Sequence, residues 1–276
     1  MKTVEAFAPA KINLTLHVTG LRADGYHLLD SLVVFGDVGD HLRLTPNTEM
    51  RLDVTGPFAA GVPVDGTNLV WRAAKAAAWS GHIRLEKNLP HGAGIGGGSA
   101  DAAALLRALN GDDVTRGIGL DRTLALGADV PVCMHAGPQR MQGTGEHLTR
   151  LWPVPRLFVV LVNPGIHLPT PEVFRGLALR DNPSMTNCDS WVDSSAFIDW
   201  LKGQRNDLEP AARCLSPEIG LTLQALSGAQ VARMSGSGAT CFGLYRSAID
   251  AVQAADQISA EHPEWWVQQA TTTGRA

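Results

Sequence analysis

Apolar and polar residues alternate in short runs near the start of the chain. This period of two predicts strands at Val4 to Ala8, Ile12 to Thr19, Leu32 to Phe35, His41 to Thr45 and Met50 to Val54. Asp24-Gly25 marks a tight turn, and Gly56-Pro57 and Gly61 to Pro63 break the last run. The period then changes. Leu69, Val70, Ala73, Ala74 and Ala77 recur at helical spacing behind Thr67 or Asn68, either of which can cap a helix, and Ser80-Gly81 ends it as a glycine cap would. His82 to Glu86 resumes a strand. An alanine- and leucine-rich stretch from about Ser99 to Leu109 predicts a second helix that Asn110-Gly111 stops. Strand-like runs follow at Val130 to His135, Leu157 to Val162, Val231 to Met234 and Cys241 to Tyr245, the last two among helical segments. The whole is a mixed α+β pattern without internal repeat, heptad series or low-complexity linker.

At 276 residues the chain exceeds the usual domain size of roughly 100–200, so one large domain or two lobes fit, with a division expected near residue 150, as 1–150 and 151–276. A hydrophobic fraction of 45% against 18% charged residues describes a globular protein and excludes a mainly disordered one. The net charge of −4 supplies no general field for nucleic acid or an anionic membrane, so neither is expected as a partner. Apolar runs such as Leu157 to Val162 fall far short of the ~20 residues that span a bilayer. The opening Met1 to Ala6 has neither a secretory apolar run nor the Arg- and Ser-rich character of a transit peptide, which points to the cytoplasm. Cys133, Cys188, Cys214 and Cys241 are widely spaced, form no CxxC pair, and read as reduced, mostly buried thiols. Trp265-Trp266 fits core, strand edge or an oligomer contact equally well.

The chemistry concentrates between Leu89 and Asp101. Residues 92–98 hold five glycines immediately before the second helix. Glycines permit positive φ and close approach, so successive N–H groups can converge on an anion while the helix N-terminus adds partial positive charge. Ser99 occupies the cap region, where its hydroxyl can reach a backbone N–H or a phosphate. A glycine cluster alone also describes a flexible surface loop, but the order strand, glycine loop, helix favours a polyphosphate site. No Lys-Ser/Thr pair closes the loop as a Walker motif requires. The GxGxxG match at Gly92 to Gly97 lacks its acidic ribose partner, since Asp121 follows a helix and loop rather than a second strand.

PHGAGIGGGSADAA, from Pro90 to Ala103, resembles the central motif of the GHMP kinases (galactokinase, homoserine, mevalonate and phosphomevalonate kinases), approximately PxxxGLGSSAA. Ala8 to Leu14 resembles that family's first motif and Met234 to Phe242 its third. Asp24-Gly25-Tyr26-His27, Leu126 to Val132, and Pro164-Gly165 through Pro171 are similar to the branch acting on a cytidine diphosphate alcohol in non-mevalonate isoprenoid synthesis. The sequence departs from the pattern at Ala100, where a second serine is frequent, and at His91, where small or apolar residues are common.

The resemblance implies an α+β, two-lobed GHMP-kinase fold, with a ribosomal protein S5 domain 2-like N-terminal lobe, an α/β C-terminal lobe and the active site in the cleft between them. It implies ATP as co-substrate, Mg2+ on the phosphates, and a monomer or weak dimer. Lys11 and Asp129 match the catalytic pair, in which an Asp orients the hydroxyl and accepts its proton while a Lys stabilises the transferred phosphoryl group. For ATP the matching positions are the backbone of Pro90, His91, Gly92, Ala93, Gly94, Ile95, Gly96, Gly97, Gly98, Ser99 and Ala100, with Asn68, Leu69 and Lys87 lining the nucleoside pocket. For the alcohol they are Asn13, Tyr26, His27 and Thr170, with Tyr26 and His27 at the cytosine. No dedicated protein metal site is assigned. The competing readings are a GHMP kinase for another alcohol, such as homoserine or mevalonate, and a nucleotide-binding regulator that has lost catalysis, against which the retained Lys11 and Asp129 speak.

Overall fold

The structure, a computed structural model, describes residues 2–110, 118–151, 154–186 and 191–272. In chain order the elements begin with β1 (Val4–Asn13), β2 (His17–Leu21), β3 (His27–Pro46), β4 (Arg51–Thr55), α1 (Leu69–Ala76), β5 (Gly81–Glu86) and α2 (Gly97–Asn110). They continue with α3 (Leu120–Leu126), α4 (Val130–Cys133), β6 (Gln139–Gly143), β7 (His147–Arg150), β8 (Phe158–Asn163), α5 (Thr170–Arg175) and α6 (Ser194–Lys202). The last are α7 (Glu209–Leu215), α8 (Glu218–Ala225), β9 (Val231–Met234), β10 (Cys241–Tyr245), α9 (Ala248–Glu261) and β11 (Trp266–Thr271). No helix among the described residues is long and apolar enough to cross a membrane.

The described residues form two compact units, neither of which is one continuous stretch. The first comprises Met1–Lys11, Gly39–His91 and Gly96–Ala136; the second comprises Ile12–Val38, Gly92–Ile95 and Gly137–Ala276. In the first, β5 runs antiparallel to the end of β3 (His41 opposite Glu86 through Pro46 opposite Gly81) and parallel to β4. Helix α1 packs on α2, whose Ala100, Ala102, Ala103 and Ala104 are buried, so short side chains bring backbones close. Asn68 caps α1, its Oδ1 accepting from Val70 N at 2.9 Å. The helix stops at Ala76 rather than near Ser80-Gly81: Ala78 takes φ +51°, and Trp79 N returns to Ala74 O at 2.9 Å. Gly81 serves β5 instead, since a Cβ there would lie 2.4 Å from Thr45 O.

In the second unit, β3 pairs antiparallel with β2 and β6, and β6 with β7. A separate antiparallel sheet runs β11-β8-β10-β9. Val160 and Val162 of β8, Val173 of α5, Ala251 and Ile258 of α9 and Leu226 share its core. Trp265 packs against this cluster and stacks on His262, with ring centroids 3.7 Å apart, while Trp266 opens β11.

Three strand expectations are corrected. Val130 to His135 is not a strand; Val130–Cys133 is a helical turn, because Pro131 in its first turn donates no N–H and presets helical φ. Leu32 to Phe35 and His41 to Thr45 are one strand, β3, since Gly39 marks a close approach rather than a turn: a Cβ there would lie 2.2 Å from Ala8 O. Ile12 to Thr19 breaks between β1 and β2, where Leu16 N donates to Arg205 O and Leu16 O accepts from Asp207 N. Cys133 and Cys241 are buried free thiols, whereas Cys214 is an exposed one; Cys188 lies outside the described residues.

Candidate active site

In the first unit, Lys11 on β1 and Asp129 meet across 118 positions of sequence. Lys11 Nζ donates to Asp129 Oδ2 at 2.9 Å; the lysine side chain is 4% exposed and the aspartate 36%. Asp129 stands at the cap position of α4, yet its carboxylate makes no capping bond and turns to the ammonium. One face of the pair is thus buried and the other open to a reactant. Gly96, at φ +65°, lies against the lysine: a Cβ there would be 3.3 Å from both Cβ and Cε of Lys11. That tight contact and the positive φ both favour glycine at this point of the loop.

From Gly96 the backbone enters α2, and Ala100 N closes its first turn on Gly96 O at 2.8 Å. The helix begins Gly97-Gly98-Ser99, so the N–H groups that open a helix without helical partners lie among residues without bulk. Ser99 is half-buried and Ala100 buried. Leu69, the first residue of α1, adjoins this turn, its Cδ1 3.6 Å from where a Cβ on Gly98 would stand. Asn68 is committed on both sides, capping α1 and donating through Nδ2 to Pro63 O at 2.7 Å. Pro90 is buried; His91 is exposed, edge-on to Phe58 at 6.4 Å. Lys87 is buried, and its ammonium is held by Asp40 and by Asp101, the latter at 2.7 Å. Burial alone would lower its pKa, but Asp101 and Asp40 outweigh that and raise it.

The remaining loop residues, Gly92 to Ile95, belong to the second unit. Gly92 and Gly94 take φ +57° and +72°. Ala93 O accepts from Thr240 N at 3.1 Å and Gly94 O from Ser235 Oγ at 3.0 Å, while a Cβ on Gly94 would fall 2.3 Å from Ser235 O. Ile95 is fully buried. The third glycine motif therefore grips this segment, and Asn206 secures the motif in turn, donating to Met234 O and Gly236 O at 2.8 Å each.

In the same unit Asn13 is buried, with its N–H on Ser235 Oγ at 3.0 Å, its Nδ2 on Ser31 Oγ at 2.8 Å and its Oδ1 without a partner among the described residues. Tyr26 is 65% exposed beyond the Gly25 turn. His27 opens β3; its ring lies 4.8 Å from that of Phe174, tilted by 32°, and its Nε2 is buried without a partner among the described residues. Burial, then the charge of Arg180, lowers the pKa of His27 and keeps the imidazole neutral. Thr170 begins α5 and shares a 2.8 Å hydrogen bond with Ser237. Phe174 was not singled out from the sequence, although it stands four residues after Thr170 on one helix face. Asp40 and Asp101 were likewise unassigned.

The chain as a whole is similar to known proteins. Residues 68–137 match the model of the GHMP kinases N terminal domain and residues 192–264 that of the GHMP kinases C terminal domain. A 4-diphosphocytidyl-2-C-methyl-D-erythritol kinase of Dinoroseobacter shibae is 52% identical, over 96% of this chain and 94% of its own. One of Cereibacter sphaeroides is 54% identical over 98% and 99%. A crystal structure of 4-(cytidine 5'-diphospho)-2C-methyl-D-erythritol kinase superposes with a TM-score of 0.76 at 32% identity, covering 99% of this chain and 100% of that one. With both family domains in order and half of all residues shared with such relatives over nearly its full length, the chain belongs to the GHMP kinase family.

Proposed function

We propose that this protein transfers the γ-phosphoryl group of ATP to the 2-hydroxyl of 4-diphosphocytidyl-2-C-methyl-D-erythritol, giving the 2-phosphate and ADP on the non-mevalonate route to isoprenoid precursors. The observation that carries the chemistry is the Lys11–Asp129 pair beside Gly96; the identity of the alcohol rests on relatives that share half their residues with this chain. Asp129 orients the hydroxyl and takes its proton as the oxygen attacks γ-phosphorus and the bond to the bridging oxygen of ADP breaks. Lys11 stabilises the charge that spreads over the transferred group.

The loop backbone from Pro90 to Ala100 binds the phosphates, and Asn68, Leu69 and Lys87 serve the nucleoside side. Mg2+ bound with the nucleotide would neutralise phosphate charge. Ser99, through its hydroxyl, and Asp129, a third exposed with Lys11 on Oδ2, would be the hard oxygen donors to hold it.

Asn13, Tyr26, His27 and Thr170 bind the alcohol, and Phe174 joins them. A neutral His27 carries one ring donor and one acceptor, which suits the edge of a cytosine, and the Tyr26 and Phe174 rings suit its faces. The buried Nε2 of His27 and Oδ1 of Asn13 lack partners among the described residues; each such atom costs about 1–3 kcal/mol until a ligand satisfies it. A cytoplasmic monomer or weak dimer completes the reading.

The test is coupled ADP release with magnesium and a panel of the cytidine diphosphate alcohol, homoserine and mevalonate. Turnover on the first alone is the expected result. Turnover on another alcohol keeps the phosphoryl chemistry and overturns the substrate, and ATP binding without turnover on any of them favours a regulator.

A further inference from the structure

Asp40 is completely buried on β3, and every partner it has among the described residues is a donor. Its Oδ1 accepts the N–H groups of Asn88 at 2.6 Å and Leu89 at 2.9 Å; its Oδ2 accepts from Lys87 Nζ. Lys87 donates onward to Asp101 Oδ2 at 2.7 Å, in the opening turns of α2. Gly97, the first residue of α2, lies on this cluster: a Cβ there would stand 3.5 Å from Lys87 Nζ and 3.8 Å from Asp40 Oδ2. Lys87 to Leu89 lead into the glycine loop, and Gly97 to Asp101 lead out of it. One buried carboxylate therefore ties both ends of the loop.

Stability does not account for the arrangement. A buried ion pair with a second carboxyl beside it is no more stabilising than a well-packed apolar trio, so what the cluster supplies is a fixed register. We propose that Asp40 is a positioning residue for nucleotide binding, holding through Lys87 and Asp101 the two ends of the glycine loop where the loop N–H groups and the start of α2 meet the ATP phosphates. The inference rests on the loop being the ATP site. It gives Lys87 an indirect part in that site, with its ammonium engaged by carboxylates.

Donor and acceptor counting separates the two aspartates. Asparagine at 40 turns an NH2 group toward an N–H or an ammonium in either orientation, a donor against a donor. Asparagine at 101 keeps an acceptor for Lys87 and places its NH2 at Oδ1, which has no partner among the described residues. The experiment measures ATP affinity by calorimetry with magnesium, alongside KM for both substrates and thermal unfolding. Asp40→Asn weakens ATP by about 10- to 100-fold, the range that small misplacement of a site produces, and leaves KM for the alcohol unmoved. Asp40→Glu, with two accepting oxygens restored, recovers part of the loss, and Asp101→Asn weakens ATP less than either. Asp53→Asn, on β4 of the same unit, is the unaffected control.

Wild-type ATP affinity in Asp40→Asn overturns the proposal, as does equal weakening in Asp101→Asn. Should Asp40→Asn not fold, Asp40→Glu must still bind ATP more weakly than Asp101→Asn, and the reverse order overturns the proposal. Calorimetry is independent of turnover, so a wild type that binds ATP yet leaves the cytidine diphosphate alcohol untouched sinks the substrate reading alone.

Discussion

Lys11 and Lys87 are both buried lysines of the first unit and both face aspartate, but their surroundings differ, and with them the parts proposed for each. Lys11 has one carboxylate partner, a third exposed at the start of a helical turn, and a glycine against its stem. Lys87 has two, Asp40 and Asp101, both out of water. A charge that must meet a developing negative charge keeps one side open, whereas a charge that holds chain segments in register is surrounded. Burial and ion pairing alone do not separate a reacting lysine from a positioning one; the exposure of the partner does.

Replacing each lysine by methionine sharpens that contrast. Lys11→Met lowers kcat by roughly 10²- to 10³-fold, the usual loss when one preorganised stabiliser of a transition state is removed, while far-UV circular dichroism stays native. Lys87→Met strands the Asp40 carboxylate and the Asp101 carboxyl and costs about 3–5 kcal/mol of stability, read from urea unfolding, as breaking a buried pair does. Equal losses of kcat in two equally stable variants would erase the distinction.

The surrounded site also titrates. Burial pushes the Asp101 carboxyl up to about 8, against the pull of Lys87 and with the push of Asp40. The unfolded chain releases that proton near 3.8, so between about pH 4 and 8 the folded state holds more protons and stability falls as pH rises. The slope reaches about 1.4 kcal/mol per pH unit at most. Asp101→Asn removes it, and the difference in unfolding free energy between the two proteins across that window measures the effect. The smallest effect is expected in the second unit, where Phe174→Leu removes the ring beside His27 and raises KM for the cytidine diphosphate alcohol by about 3- to 10-fold, the worth of one aromatic contact, with KM for ATP unchanged.

Much of this was legible in the sequence because it is local. The Asn68 cap, the helix after the glycines and the strands Val231–Met234 and Cys241–Tyr245 follow from short-range pattern. Lys11 and Asp129 were legible only through family motifs, since nothing local to either signals a partner 118 positions away. Asp40 and Phe174 escaped because their roles arise from tertiary contacts: an aspartate after a glycine reads as turn chemistry, and a phenylalanine in a short helix reads as core. The Val130 run misled because four apolar residues fit strand and helix equally until Pro131 is given its weight.

In the proposed transfer Asp129 receives the proton, and single-turnover transfer from γ-labelled ATP to the cytidine diphosphate alcohol tests that role most directly. Asp129→Asn should bind ATP and alcohol with affinities near the wild type yet transfer the phosphoryl group about 10²- to 10⁴-fold more slowly. Transfer at the wild-type rate by the folded variant would contradict the account and move the chemistry away from the Lys11–Asp129 pair.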